Sequence, residues 1–439
     1  MVATALSVIP EAYHAGILAG NSTVDVAPYL NSGLYSYGIL ELPQTGQMSI
    51  GSTLFVPSGG GLIGLNYGCT IKALPGFGDW PMIRNAYPDP TTEGTRDRNL
   101  VFRGIRLDGN KAANPNATQF GHGIQLYAVD GASLDVWVVN PKGDGVSIQQ
   151  AYASPSIGCA YITGKVRTSG CNRMGVTITC GEQIDLDVYD TGGEWMSVDI
   201  EPDNRTNFVR NVFLRVLSLG AGNGTDVSGG VAISGDGTGG VAMNVTIDFQ
   251  IFNSGGQGVL WRDVKGLTLR GTIENPRHNG LVGLDAGAGP SSVFFDGVRV
   301  YSPGASGLVS RERQGSIYDG TVMVEEAAGM GAYIANARGG TLGLTLKNSG
   351  QQGLTLNNTQ NMTFPSPIIL GSMSHNLWLS NGSSGNRFQF LHSAGSNWGW
   401  GFLEESGCND NRAFYSRVSG NSAGNISTKG AQSSVQLEG

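Results

Sequence analysis

The stretch Gly123-Ile-Gln-Leu126 is repeated with small changes along most of the chain, and this repetition decides the fold. The next copies are Gly145-Val-Ser-Ile148, which begins 22 residues later, Gly175-Val-Thr-Ile178 and Ser197-Val-Asp-Ile200. Each copy has a small residue followed by apolar, variable and apolar residues, the period-two pattern of a strand with one buried face. Further copies begin at Gly230, Gly258, Gly280, Gly307, Gly331, Gly353, Asn376 and Gly401.

Two other patterns keep the same phase as this repeat. A second strand-like run precedes each copy, as in residues 133–139 and 183–188. Five residues before the small residue there is an Asn or a Ser, and Asn accepts the left-handed backbone that a sharp turn requires. These turn positions are Asn140, Asn253, Asn275, Ser302, Asn348 and Ser396. The sequence therefore predicts an all-β, right-handed, single-stranded parallel β-helix with about twelve regular coils.

The repeat also divides the chain into three parts. Residues 1–97 lack it and are interpreted as an N-terminal cap with the first irregular coils. Residues 98–420 are the parallel β-helix, and residues 421–439 form a polar C-terminal tail without a strand pattern. With 69 Gly among 439 residues and only 14% charged residues, the composition suits short strands joined by tight turns.

Charge and hydropathy argue against several classes of partner. The net charge is −7 and no block of Lys or Arg occurs, so neither nucleic acid nor an anionic membrane surface is an expected partner. No run of 18 apolar residues occurs, and membrane insertion is therefore not expected. The five Cys lack a CxxC spacing and are predicted to be buried thiols, with a disulfide as the alternative.

The opening of the chain resembles that of pectate-lyase-superfamily β-helices. The similarity lies in residues 25–30, in Leu54-Phe-Val-Pro-Ser-Gly59 and in Gly61-Leu-Ile-Gly64, while residues 100–110 look like the first regular coil of that family. The superfamily includes bacteriophage tailspike (capsule) depolymerases, pectin-degrading enzymes and mannuronan C5-epimerases. The resemblance implies a polysaccharide as partner, an extracellular or virion location, and a homotrimer if the chain is a tailspike.

A pair of carboxylates is the strongest candidate for catalysis. The outward positions of the repeat are predicted to form a solvent-exposed strip on which a glycan can lie. Asp199 and Glu201 leave the same face of one strand, with Cα atoms about 6.6–6.8 Å apart, and the neighbouring coils are neutral in this register. Two such carboxylates are the acid and base of glycoside hydrolysis. A solvated polar face and a cation site are the alternatives for this pair.

Other residues are predicted to assist this pair. Asp187, in a cluster of alternating charge that also fits a structural role, is a third catalytic candidate. His122 opens a coil and is assigned to a turn or cap. Substrate contacts are predicted for Tyr189, Glu194, Trp195 and Arg205 near the pair, and for Arg262, His278, Asp285 and Arg311 further along the chain.

Three functions remain open from the sequence. The first is an endo-acting glycoside hydrolase on a bacterial surface glycan or an extracellular glycan. The second is a polysaccharide lyase acting on a uronate-containing glycan, for which Ca²⁺ is a possible cofactor. The third is a non-catalytic, glycan-binding adhesin. No metal site or other cofactor is predicted, because no coordination motif of His, Cys or Asp-rich spacing occurs.

Overall fold

A computed structural model of the chain describes residues 2–115, 120–202, 204–234, 240–284, 289–312 and 315–438. The chain forms a right-handed parallel β-helix, which confirms the fold predicted from the repeat. It divides into two compact units, Met1–Gly222 with Gly239–Ala242, and Asn223–Thr238 with Met243–Gly439. The division between residues 97 and 98 that the sequence suggests stays a prediction.

The first unit begins with short helices. The helix Ala27–Tyr37 carries Pro28 in its first turn, where a missing N–H does no harm. Asp25 Oδ1 accepts hydrogen bonds from the N–H groups of Ala27 at 2.9 Å and Gly51 at 2.8 Å, which ties the helix start to the first coils. The other described helices of this unit are Ala5–Val8, Glu11–Tyr13, His14–Leu18 and Glu93–Thr95.

The described strands of the first unit form two parallel sheets. Sheet 1 consists of Val2–Thr4, Ile39–Glu41, Gly46–Ile50, Gly61–Ile63, Cys69–Ala73, Arg98–Asp108, Asp130–Val139, Cys159–Ser169, Gly181–Thr191 and Phe208–Leu219. Sheet 2 consists of Leu54–Val56, Ile83–Asn85, Ile124–Tyr127, Val146–Gln149, Val176–Ile178 and Met196–Ile200. A coil therefore contributes a strand to each sheet, as the two strand patterns of the sequence predict.

The second unit repeats this arrangement. Its sheet 3 consists of Val241–Phe252, Val264–Glu274, Ser292–Tyr301, Ile317–Glu325, Leu342–Lys347, Thr363–Pro365, Ile368–Leu370, Arg387–Gln389, His392–Ala394, Arg412–Ser419 and Ser434–Leu437. Its sheet 4 consists of Gly229–Ser234, Gln257–Arg262, Leu281–Gly283, Leu308–Ser310, Ala332–Ala335, Leu354–Asn357, Leu377–Ser380, Trp400–Glu404 and Gly424–Ser427.

The small residue of the repeat is explained by a close approach between coils. A Cβ atom at Gly145 would lie 2.3 Å from Cγ2 of Thr168 and 2.6 Å from the carbonyl oxygen of Gly175. The two apolar residues that follow, Val146 and Ile148, are fully buried between the sheets. Glycine thus lets the chain turn tightly into sheet 2 while the next residues fill the interior.

The predicted turn residues adopt the left-handed conformation. The φ angles of Asn140, Asn253, Asn275 and Asn348 are 50°, 52°, 51° and 54°. In the second unit Asn275 Nδ2 also donates a hydrogen bond to Asn253 Oδ1 at 3.3 Å, as expected for an Asn ladder between stacked turns. At the last turn, where Ser396 was expected, Gly395 carries the positive φ of 72°.

Two expectations about the coils are corrected. The described residues contain six strands in sheet 2 and nine in sheet 4, more than the twelve copies counted in the sequence. The additional strands are Leu54–Val56, Ile83–Asn85 and Gly424–Ser427, the last of which lies in the supposed tail. Residues 434–437 also pair with the strand Arg412–Ser419, because their backbone groups continue the ladder of the preceding coil.

All five cysteines are buried free thiols, as predicted. In the part of the chain that the structure describes, no helix is long and apolar enough to cross a lipid bilayer. Among the same residues, no group of three or more His, Cys, Asp or Glu side chains is placed to hold a metal ion.

Candidate functional site

The outer face of sheet 2 carries two adjacent columns of side chains, here called the outward track. Register pairs connect each member of the first column to the next along the stack. This column consists of Phe55, Arg84, Gln125, Ser147, Thr177 and Asp199. The second column lies two residues further along each strand and consists of Tyr127, Gln149, Thr179 and Glu201. Asp199 and Glu201 thus belong to the last coil that contributes a strand to sheet 2 in the first unit.

Most of this surface is not the solvent-exposed strip that the sequence predicted, and that expectation is wrong. Gln125, Thr177 and Asp199 are only 1%, 5% and 5% exposed, while Glu201 is half-buried. Side chains of the second column contact those of the first: Gln149 Nε2 donates a hydrogen bond to Oγ of Ser147 at 2.8 Å. The two carboxyl groups therefore lie in surroundings from which much of the water is excluded.

Asp144 orients Thr177, the neighbour of Asp199 in the first column. Its Oδ2 accepts a hydrogen bond from the Thr177 hydroxyl at 2.9 Å, and Thr177 is the register neighbour of Asp199. Its Oδ1 accepts the N–H of Met174 at 3.2 Å and lies 3.7 Å from Nε of Arg173. Asp144 is itself buried, so its carboxylate holds the Thr177 hydroxyl in place and does not face solvent.

His122 belongs to the turn beside this carboxylate, in agreement with its predicted turn role. Its Nδ1 lies 3.1 Å from the backbone nitrogen of Asp144 and 3.2 Å from Oδ2 of the same residue. Full burial lowers the pKa of His122, which favours the neutral ring. Since Asp144 binds the next coil through Met174 in the same way, both residues serve as links between successive coils.

Trp195 and Glu194 lie in the turn that precedes the strand of Asp199. Trp195 is 41% exposed, and its backbone N–H donates a hydrogen bond to the carbonyl oxygen of Arg173 at 3.1 Å. Glu194 Oε1 accepts a hydrogen bond from Nζ of Lys111 at 2.6 Å. Arg205 is exposed in the segment that follows Glu201. These predicted contact residues lie before and after the strand Met196–Ile200 in the sequence.

Asp187 and Tyr189 point outward from sheet 1 and are not part of the outward track. Asp187 is ion-paired with Arg215, which also contacts Asp185 at 2.6 Å. In register the column alternates in charge, and it consists of Arg103, Asp135, Lys165, Asp187 and Arg215. Such cross-strand pairing stabilises a sheet, and it accounts for Asp187 without a catalytic role.

The remaining predicted residues lie in the second unit. Arg262 ends the strand Gln257–Arg262 and Arg311 follows the strand Leu308–Ser310 two coils later, with Leu284 between them in register. His278 is in a different turn, where Nε2 contacts the carbonyl oxygen of Gly224 at 3.0 Å and Nδ1 lies 3.7 Å from Asp226. Asp285 lies outside the described residues. Arg262 and Arg311 therefore share one column, His278 lies in another turn, and the predicted group with Asp285 stays a prediction.

Sequence reasoning missed Asp144, Arg173 and the aromatic end of the track. Asp144 and Arg173 lie one and two residues before the glycines of their repeats, outside the alternating pattern that follows each glycine. Phe55 and Arg84 lie in coils whose repeat glycine is absent, since Thr53 and Met82 stand there. A search for polar residues immediately before each repeat would have found the first two.

Comparison with known proteins gives matches in structure alone. No family model and no curated protein matches the sequence. Pre-mature gene product 12 of bacteriophage phi29 superposes with a TM-score of 0.55 at 14% identity, over 95% of this chain and 56% of that one. The chain thus spans little more than half the length of that protein. An N-terminal fragment of the same protein gives a TM-score of 0.57 at 13% identity, covering 89% and 78% of the two chains.

A mutant tailspike protein of E. coli bacteriophage HK620 also superposes, with a TM-score of 0.50 at 10% identity over 94% of this chain and 74% of that one. The chain has the right-handed β-helix fold of a phage tailspike. At these identities the similarity establishes the fold alone. The chemistry has to be argued from the residues of the outward track.

Proposed function

We propose that the chain is a polysaccharide depolymerase that binds a glycan along the outward track and hydrolyses it at internal bonds. The observation that supports this is the position of Asp199 and Glu201. Asp199 lies in the strand Met196–Ile200 and Glu201 directly after it, in the two columns that also carry the aromatic residues Phe55 and Tyr127. The tailspike-like fold fits this function, because the filled interior of a β-helix leaves its outer face for ligands.

The proposed reaction needs only the two carboxyl groups and water. One carboxylic acid gives its proton to the glycosidic oxygen as the bond from that oxygen to the anomeric carbon breaks. The other carboxylate either removes a proton from the attacking water or bonds to the anomeric carbon before water releases it. Trp195, 41% exposed beside this strand, is assigned to one face of a sugar ring.

The test is substitution of each carboxyl group by its amide. Asp199→Asn and Glu201→Gln should each lower the rate of glycan cleavage by about a hundredfold or more, because each removes a proton donor or acceptor. Cleavage is followed by new reducing ends and by product mass spectrometry on a panel of bacterial polysaccharides. Because both changes preserve side-chain volume, the melting temperature of each variant should stay close to that of the unmodified protein.

Matched controls are available on the outer face of sheet 1. Asp130→Asn removes a carboxylate that lies 3.2 Å from Arg98, and Glu182→Gln one that lies 2.7 Å from Arg210. Both controls should cleave at the normal rate. Near-normal cleavage by Asp199→Asn and Glu201→Gln would refute the assignment, and loss of cleavage in Asp187→Asn would place the chemistry on sheet 1. Unsaturated products would identify a lyase, and binding without any cleavage an adhesin.

The proposed hydrolysis should not depend on a metal ion. Acid–base catalysis by two carboxyl groups uses no Lewis acid, so cleavage should continue at the same rate in excess EDTA. The measurement is the rate before and after chelation, with Ca²⁺ added back. Loss in EDTA and recovery with Ca²⁺ would contradict the proposal and favour the lyase.

We extend the proposal to location and assembly on the strength of the tailspike-like fold. The chain is assigned to a virion tail or to the extracellular space, with a homotrimer as its assembled form. Light scattering after size-exclusion chromatography should give three times the chain mass of 45.9 kDa. A monomeric mass at micromolar concentration would refute the trimer without affecting the proposed chemistry.

A further inference from the structure

A depression of about 320 Å³ lies at the end of the outward track opposite Asp199. Three aromatic side chains contribute to its wall: Trp80 is 65% exposed, Phe55 is 38% exposed and Phe77 is buried. Its other lining residues are Gly51, Ser52, Thr53, Gly78 and Arg84. Exposed aromatic rings beside small residues make a surface on which a flat, partly apolar ligand can stack.

Arg84 supplies a positive charge at this depression. Its guanidinium carbon lies 4.9 Å from the centroid of the Phe55 ring, which holds the group by a cation–π contact. Within the described residues the Arg84 guanidinium makes no hydrogen bond and no ion pair. In a chain of net charge −7, this cation therefore favours an anionic ligand group at this position.

The segment that carries Trp80 is braced by a lysine from a later coil. Nζ of Lys142, whose side chain is 9% exposed, donates to Asp79 Oδ1 at 2.8 Å and to the carbonyl of Phe77 at 3.4 Å. Gly78 leaves room for the indole, since a Cβ there would lie 3.2 Å from Cδ1 of Trp80. The contacts of Lys142 thus hold the segment on the N-terminal side of Trp80, which reduces the backbone entropy lost on binding.

The depression and the proposed cleavage site share one column of residues. Phe55 and Arg84 are the first two members of the column that ends at Asp199. Five steps between coils separate Phe55 from Asp199, a distance of about 24 Å at roughly 4.8 Å per step. One extended polysaccharide chain can therefore contact both ends of the track.

We propose that this depression is a distal subsite for an anionic sugar unit of the polysaccharide that the track binds. This rests on the proposed function of the track. The sugar ring stacks on Trp80, and its carboxylate or phosphate group binds Arg84. The subsite should increase affinity for chains long enough to reach it and leave the cleavage of short oligosaccharides unchanged.

The test measures binding by Trp80→Ala and Arg84→Gln, each in the Glu201→Gln background. The probe is an array of immobilised bacterial capsular, lipopolysaccharide and cell-wall polysaccharides. Trp80→Ala should weaken binding of long chains about tenfold, the effect of one lost aromatic contact. Arg84→Gln should weaken binding of anionic chains and spare neutral ones. Carboxylated and phosphorylated glycans on the same array distinguish the two sources of the charge.

Two controls test whether any exposed residue of the same type has this effect. Trp398→Ala removes a tryptophan that is 78% exposed, and Arg103→Gln removes an exposed arginine of sheet 1; both should bind normally. Unchanged binding by Trp80→Ala, with circular dichroism confirming its fold, overturns the subsite even if Glu201→Gln abolishes cleavage. Weakened binding by Trp80→Ala together with normal cleavage by Glu201→Gln supports the subsite and refutes the catalytic pair. A protein that binds no glycan of the array refutes both.

Discussion

Glu312 places a carboxyl group inside the coils of the second unit, where burial governs its protonation. The side chain is 1% exposed and accepts hydrogen bonds from the hydroxyl groups of Ser291 and Tyr318. Burial raises the pKa of Glu312 above its usual value, although the hydrogen bonds oppose this. The folded state therefore binds a proton more tightly than the unfolded chain, in which an ordinary Glu titrates near about 4.3.

This difference predicts a loss of stability as the pH rises. The contribution of protonated Glu312 is fully present below the unfolded pKa and disappears as the pH passes the raised, folded pKa. Each pH unit between the unfolded and the folded pKa corresponds to about 1.4 kcal/mol of unfolding free energy. Glu312→Gln, which cannot ionise, should therefore show a shallower fall of unfolding free energy as the pH rises above the ordinary Glu pKa of about 4.3. Urea unfolding at several pH values measures this slope.

Glu325→Gln is the matched control for this slope. Glu325 is a surface partner of Lys347 at 2.7 Å, so its removal should leave the slope above about pH 5 unchanged. Equal slopes for the Glu312→Gln variant and the unmodified protein would show that Glu312 is not the group responsible.

At the scale of single residues, the sequence predicted the face of a strand on which a side chain lies better than the exposed fraction of that side chain. Period-two alternation correctly placed Val198 and Ile200 in the interior, where both are fully buried. It could not predict that Asp199 is only 5% exposed, because burial depends on side chains of other coils. Asp144, for example, reaches Thr177 across 33 residues of sequence, and no local pattern encodes that contact.

The turns between strands depend on residues that accept positive φ. Asn275 has a φ of 51° and shares a hydrogen bond of 3.3 Å with Asn253. Asn275→Val should lower the free energy of unfolding by about 1–3 kcal/mol, since a β-branched residue is strained in this conformation. Asn275→Gly should come much closer to the unmodified protein. Chemical denaturation of the variants gives the difference.

Comparison of the valine and glycine variants isolates the effect of backbone strain at this turn. Both lose the side-chain bond to Asn253, so that bond contributes equally to each. If the valine and glycine variants unfold at the same denaturant concentration, strain at this turn does not matter and the ladder bond accounts for the preference for Asn.

At the scale of strands, the repeat predicted those that follow a small residue and missed those that do not. The strands Leu54–Val56 and Ile83–Asn85 begin after Thr53 and Met82, so the search for the small residue passed over them. The strand Gly424–Ser427 has Ile426 as its single large apolar residue. Such strands form because a preceding coil offers an unpaired backbone edge, which the local sequence does not record.

At the scale of the whole molecule, each coil of a β-helix covers the interior of the coil before it. Strand Gly424–Ser427 pairs with Trp400, Phe402 and Leu403, and Phe402 is fully buried. Asn421 Oδ1 also accepts hydrogen bonds from Nδ2 of Asn376 at 3.1 Å and from the N–H of Ser396 at 3.0 Å. Residues 421–438 therefore cover the preceding coil.

Deletion of residues 421–439 should destabilise the protein and promote aggregation. Exposure of Phe402 alone would remove about 1.5–3 kcal/mol of apolar burial, and an open strand edge would face solvent. Thermal unfolding and size-exclusion chromatography measure the two effects. Lys429→Gln, at an exposed position of the same segment, should behave normally. A truncated chain that melts normally and stays monodisperse would show that the segment has no covering role.

The reactivity of the five buried thiols can report local unfolding of the protein. Burial raises the pKa of Cys69 and of Cys159 to about 12, and that of Cys408 in the same direction. A disulfide reagent in neutral buffer therefore meets neither an accessible sulfur nor an appreciable amount of thiolate. Labelling must wait for local unfolding, and four of the cysteines lie in the first unit and one in the second. Mass spectrometry of labelled peptides over time would thus rank the opening rates of individual coils without any introduced probe.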